Sequence, residues 1–199
     1  MLFGVGINDF EEVHGHKAFT RKDGGFRDRR YLMWQAMLSR CYSEYTKSVR
    51  PTYVGVVCDR GWTRYSNFYK DVSNIQGFDK ALSSNWVLDK DILVKGNKVY
   101  SPETCAFIPN EINLLFTKRD FKRGELPIGV RKSGNKFKAC IRKEGNEIYI
   151  NTFKTPQEAF QAYKTVKEQH IKEIAYKWKD KINPRTYIAL INYQVEITD

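Results

Sequence analysis

Between Asp28 and Tyr42 the apolar residues Leu32, Met33, Met37 and Cys41 recur at helical spacing, with Trp34 and Leu38 alongside, which predicts an amphipathic helix with a core-facing stripe. After Pro51, the run Tyr53-Val54-Gly55-Val56-Val57-Cys58 is short, apolar and β-branched, the profile of a buried strand. Thr63 to Val72 returns to helical spacing, with Tyr65, Phe68, Tyr69 and Val72 on one face. From Trp86 the pattern predicts two short strands, Trp86 to Leu93 and Tyr100 to Ile108, around a turn containing Gly96-Asn97. Pro109 fits a first helical position, and Glu111 to Phe116 supplies one or two helical turns. This first region reads as strand, loop, strand, short helix.

Residues 117 to 126 carry no apolar period, one glycine and four basic groups, and are assigned as a linker between a first domain (1–116) and a second (127–199). Beyond Pro127 three strands are predicted, Ile128–Lys132, Lys136–Lys143 and Glu147–Phe153, joined at Ser133-Gly134-Asn135 and Glu144-Gly145-Asn146, a three-stranded antiparallel meander. Alternation puts Phe137, Ala139 and Ile141 on one face and Lys136, Lys138, Cys140 and Arg142 on the other. In the third strand, Ile148 and Ile150 oppose Glu147, Tyr149 and Asn151. Thr155-Pro156-Gln157-Glu158 has the signature of a capping box with proline at N1. The helix it opens runs to about Trp178, with Ala159, Ala162, Tyr163, Val166, His170 and Ile174 as its inward stripe, and Asn183-Pro184 opens a last short helix through Ile191. The helix covers the apolar sheet face and leaves the cationic one open.

Charge sharpens this picture. The chain of 199 residues has a formal net charge of +11, and residues 118 to 185 hold 18 Lys plus Arg against 8 Asp plus Glu. A basic module thus follows a nearly neutral one, and a basic face beside aromatics suits a polyphosphate partner, because each neutralised phosphate releases counterions. No run approaches the roughly 18 apolar residues that a membrane helix needs, and no secretory signal is legible, so the expectation is a soluble, cytoplasmic protein with no membrane partner. Cysteines 41, 58, 105 and 140 are too far apart to spell a zinc site or disulfide framework and are assigned as reduced thiols, while His14, His16 and His170 receive no role.

The blocks Gly129-Val130-Arg131, Lys136 to Arg142, Ile148 to Ala159 and Ala162-Tyr163 follow in an order that resembles the plant ethylene-response-factor DNA-binding domain and its relatives in phage homing endonucleases, over residues 127 to about 175. The resemblance implies a sheet face that enters the major groove of double-stranded DNA, and it places Arg131, Lys136, Arg142 and Tyr149 on that face; alternation independently adds Lys138. The family's acidic residue in the second strand is Cys140 here, and its arginine at the start of the third is Glu147. Base preference does not transfer.

The first domain resembles the N-terminal part of phage HNH-type homing endonucleases. Trp34, Met37, Arg40-Cys41-Tyr42, Val57-Cys58, Trp62, Phe68, Leu88-Asp89-Lys90-Asp91 and Tyr100 to Cys105 recur in that family's order. The resemblance implies a ββα scaffold with Asp89 and Asn113 in the places of metal ligands for Mg²⁺ or Mn²⁺. Lys90 stands where the general-base histidine should be and Thr104 where the orienting asparagine should be. A lysine starts near pKa 10.4, and the flanking Asp89 and Asp91 oppose the downward shift that a base needs.

These readings combine into an α+β protein: an HNH-like domain without a working base, then a basic sheet-and-helix module that binds duplex DNA as a regulator or competitor on DNA, in the infected bacterial host if phage-encoded. The alternatives are an active metal-dependent endonuclease or nickase at Asp89 and Asn113, with water activated by another group, and RNA binding or a protein-partner adaptor, because cationic sheets with aromatics also serve RNA. The Asn8-Asp9-Phe10 segment and the acidic tail have no assigned role.

Overall fold

The computed structural model describes residues 1–16, 28–117, 124–197 and 199, which divide into two units, Met1–Asn110 and Glu111–Asp199. The protein is α+β. The first unit holds α1 (Phe10–His14), α2 (Arg29–Tyr42), α3 (Glu44–Val49), α4 (Tyr65–Val72) and α5 (Phe78–Ser83), with β1 (Val57–Cys58), β2 (Trp86–Asp89), β3 (Val99–Tyr100) and β4 (Ala106–Pro109). Asp28 starts α2 by accepting the Arg30 N–H at 2.9 Å, satisfying one donor that the first helical turn leaves unpaired. Trp34, Met37, Leu38 and Cys41 form the buried stripe, whereas Leu32, expected on it, is exposed. Against this stripe pack Trp62, Tyr65 and Phe68, and the Trp34 indole donates to the Trp62 carbonyl at 2.7 Å, so the ring is buried with its donor satisfied.

The strand pairing departs from the hydrophobic pattern. β2 runs antiparallel to β4, with Trp86 opposite Pro109, but Val99–Tyr100 leaves that pair and lies parallel to Val57–Cys58. The strand expected to reach Leu93 stops at Asp89, whose Oδ1 accepts the N–H groups of Asp91 at 2.9 Å and Ile92 at 2.8 Å and so turns the chain. Pro109, expected to open a helix, ends β4, and α6 (Asn110–Leu115) begins one residue later.

The N-terminal segment also acquires a role. Asp9, 3% exposed, accepts from the Ser66 N–H at 2.9 Å, the Ser66 hydroxyl at 2.8 Å and Arg64 Nη1 at 3.0 Å, so it caps α4 from a distance of more than fifty residues. Burial alone would raise this carboxyl's pKa, but the bonds from Ser66 and Arg64 outweigh it and hold it below the ordinary value of 3.8.

In the second unit β5 (Val130–Ser133), β6 (Lys136–Lys143) and β7 (Asn146–Phe153) form an antiparallel sheet in the order β5-β6-β7, packed on α7 (Pro156–Trp178) and followed by α8 (Pro184–Ile191). Residues 111 to 116, grouped by sequence with the first domain, belong to this unit; of the basic linker, Lys118, Arg119, Lys122 and Arg123 lie outside the described residues. Both halves of the capping box form: Thr155 Oγ1 accepts from the Glu158 N–H at 3.2 Å, and Glu158 accepts from the Thr155 N–H at 3.1 Å.

Gly129 makes the helix–sheet approach possible. It has φ +75°, and a Cβ there would lie 2.1 Å from the Tyr163 ring, so the tyrosine of α7 occupies the space that any side chain would need. α7 buries more than the expected stripe. Ala159, Tyr163 and His170 are buried as anticipated, Ala162, Val166 and Ile174 only half so, and Phe160, Ile171 and Ala175 form a second buried row. α7 also packs on α8, whose Thr186 and Leu190 are buried. The C-terminal tail closes over α7: Val195 is buried, its N–H donates to Glu168 at 2.8 Å, and its carbonyl accepts from Lys164 at 2.9 Å. Lys167 caps α6 by donating to the Leu115 carbonyl at 2.7 Å, and burial lowers its pKa to about 8. No helix among the described residues is long and apolar enough to cross a membrane.

Candidate nucleic-acid interface

The outer face of the three-stranded sheet is built by strand alternation and by one irregularity. β6 alternates without interruption, so Lys136, Lys138, Cys140 and Arg142 share a face, while buried Ala139 and Ile141 turn toward α7. Register then brings Ser133 opposite Lys136, Arg131 opposite Lys138, Tyr149 opposite Cys140, and Glu147 opposite Arg142. Lys136, Lys138 and Arg142 are exposed, the Arg131 side chain is 63% exposed, and Tyr149 is 55% exposed.

Between Cys140 and Ala139 the register slips, because β7 opposes these two residues with Tyr149 and Asn151 and leaves Ile150 unmatched. This β-bulge corrects the strict alternation expected for β7. Ile148, opposite Ile141, and Phe153, opposite Phe137, are an odd number of residues apart, so an unbroken pleat cannot place both on the α7 side; one extra residue can, although Ile148 stays 44% exposed there. The same shift puts Thr152, rather than Asn151, opposite Lys138. The Tyr149 hydroxyl lies 2.9 Å from Thr152 Oγ1, which anchors the ring on the outer face.

The residues inferred from sequence are therefore clustered on β5, β6 and β7, but Arg131 is not free. Its guanidinium forms an ion pair with Glu147. Cys140, half-exposed beneath them, has its thiol pKa raised by burial and by Glu147, against the opposing pull of Arg131 and Lys138. Sequence alternation places Glu147 on this face, yet its pairing with a residue two strands away depends on register and was not anticipated.

The turn after β2 is built differently. Lys90 is 7% exposed and donates from Nζ to Asp91 Oδ2 at 3.0 Å, while its carbonyl accepts from Asn97 at 2.6 Å. The half-buried Asp89 carboxyl has its pKa raised to about 6, first by desolvation and then by Asp91, against the two amides that bond its Oδ1. Arg40 donates to the Tyr100 hydroxyl at 3.2 Å; burial opposes its charge, but Tyr100, Tyr53 and Asp89 outweigh burial and raise its pKa. Thr104 closes a local turn, donating to the Val99 carbonyl at 2.8 Å and lying 3.0 Å from the Ser101 hydroxyl. Asn113 is on α6; it belongs to the second unit and Asp89 to the first. Among the described residues no group of three or more His, Cys, Asp or Glu side chains is arranged to hold a metal ion.

Compared with known proteins, the chain matches no family model, no curated protein and no solved structure.

Proposed function

We propose that this protein binds double-stranded DNA through the outer face of β5–β7 and does so without cutting it. The observation that carries the reading is a sheet with one face packed on α7 and the other left open by the described residues, with exposed Lys136, Lys138 and Arg142 beside a half-exposed tyrosine. Arginine bonds a phosphate or a guanine edge through two N–H groups, lysine acts as a point charge, and a β-ribbon fits the width of the major groove.

The absence of a cleavage step rests on Lys90. A general base must present a lone pair, whereas the buried Lys90 Nζ is a donor to the exposed Asp91 carboxylate. Asp89 Oδ1, in the place that the family resemblance gives to a Mg²⁺ or Mn²⁺ ligand, is occupied by two backbone amides.

The test is duplex binding by the full chain across a salt series. Replacing Lys138 and Arg142 together by alanine lowers affinity by roughly tenfold or more at low salt and reduces the salt slope by about 1–2, as expected for the loss of two phosphate contacts. Unchanged affinity and slope overturn the reading, and displacement by RNA in preference to DNA reassigns the partner. Supercoiled plasmid with Mn²⁺ stays intact; nicking that vanishes in Asp89→Ala establishes a nuclease instead.

A further inference from the structure

We infer that Glu147 is a specificity-determining residue, a carboxylate that aims the Arg131 guanidinium at a guanine and makes a G·C pair the preferred target of this face. The inference rests on the DNA-binding reading above and deepens it. Among the described residues of β5, β6 and β7, Glu147 alone is acidic. It pairs with Arg131 and lies opposite Arg142 in register, so it is flanked by the two arginines of the face.

Stability gives little reason for an acid there. The Arg131 and Glu147 side chains are 63% and 38% exposed, and ion pairs so well solvated contribute little to folding. For a surface that meets a polyanion the acid is a liability, since it repels every nearby phosphate. Both features make sense if the carboxylate selects what Arg131 touches. An unpaired arginine has many rotamers and takes a phosphate as readily as a base. Pairing of one edge with Glu147 biases the guanidinium toward one orientation and leaves fewer N–H groups to be placed. The phosphate, which carries full negative charge, is disfavoured by the adjacent carboxylate, whereas the O6 and N7 acceptors of guanine carry none. The partner base fits as well, because a carboxylate accepts from the N4 amino group of cytosine. Arg131 and Glu147 together match the donor and acceptor pattern of one G·C pair.

The test selects from a pool of randomised duplexes with the full-length wild type, Glu147→Ala and Arg131→Ala, after confirming that all three melt at the same temperature. The wild type enriches a fixed G·C pair and loses roughly tenfold in affinity when that pair becomes A·T. Glu147→Ala binds random-sequence duplex about two- to threefold more tightly and discriminates that pair less than twofold; Arg131→Ala loses the same preference with weaker overall binding. If wild type and Glu147→Ala enrich the same bases equally, or the wild type enriches none while still binding duplex, the role of Glu147 is refuted and DNA binding stands. If the wild type binds no duplex, both fall.

Discussion

Two lysines, Lys90 of the first unit and Lys138 of the second, are placed in opposite ways. In the first unit, buried Asp9 pairs with Arg64 and Ser66, buried Lys90 pairs with Asp91, and Arg40 donates to Tyr100. In the second, Lys136, Lys138 and Arg142 project from a sheet whose other face α7 occupies. A count of basic residues treats Lys90 and Lys138 alike, yet one is a fastener for a turn and the other is presented to solvent. Direction, more than number, decides whether a lysine is available to a phosphate.

The contrast can be broken most severely at Gly129. Gly129→Ala forces a side chain onto a φ of +75° and into the ring of buried Tyr163, so the expected loss is roughly 2–5 kcal/mol from backbone strain and overpacking. Urea unfolding reads this loss, and duplex binding disappears with the sheet that presents the cations. A variant as stable as the wild type is incompatible with the close α7 contact.

A smaller effect is expected in the first unit. Asp9→Asn removes a buried charged acceptor and lowers stability by about 1–3 kcal/mol at pH 6. The folded-state pKa of Asp9 is below its unfolded value of 3.8, so its contribution is complete above that value and is lost as pH falls through the folded one. The difference between wild type and variant therefore closes on acidification. A difference that stays constant to pH 2 removes the ionised carboxylate from the account, and duplex affinity at neutral pH is unaffected in either case.

The mildest change is Lys90→Met, which keeps the aliphatic stem and deletes the ammonium. Asp91 is 46% exposed and turns to water, so the cost is about 1 kcal/mol or less, measured by thermal melting. Duplex affinity should stay within twofold. A loss comparable to that of the Lys138 and Arg142 substitutions would place Lys90 on the DNA and erase the distinction between the units.

The second unit was far more legible in the sequence than the first. Its strands are consecutive and joined by tight Gly and Asn turns, and Thr155-Pro156-Gln157-Glu158 encodes its own cap, so every signal is local. What escaped was the unmatched Ile150 in β7 and the reach of Glu147 to Arg131, since both depend on how three strands are aligned at once. In the first unit the decisive bonds are distant in sequence. Asp9 caps a helix that begins at Tyr65, and Val99–Tyr100 abandons its hairpin neighbours for Val57–Cys58. Nothing in a two-residue strand announces which partner it will choose.

The amino-acid order by itself determined the alternation of β6, the capped start of α7 and the separation of cationic from apolar faces, because these follow from side-chain periodicity and from bonds between residues three or four apart. Only the tertiary structure decided that Lys90 is enclosed, that Arg131 is held by an acid and that Asp9 fastens α4: the first and last require other parts of the chain to exclude water from a charged group, and the second requires three strands to be aligned at once.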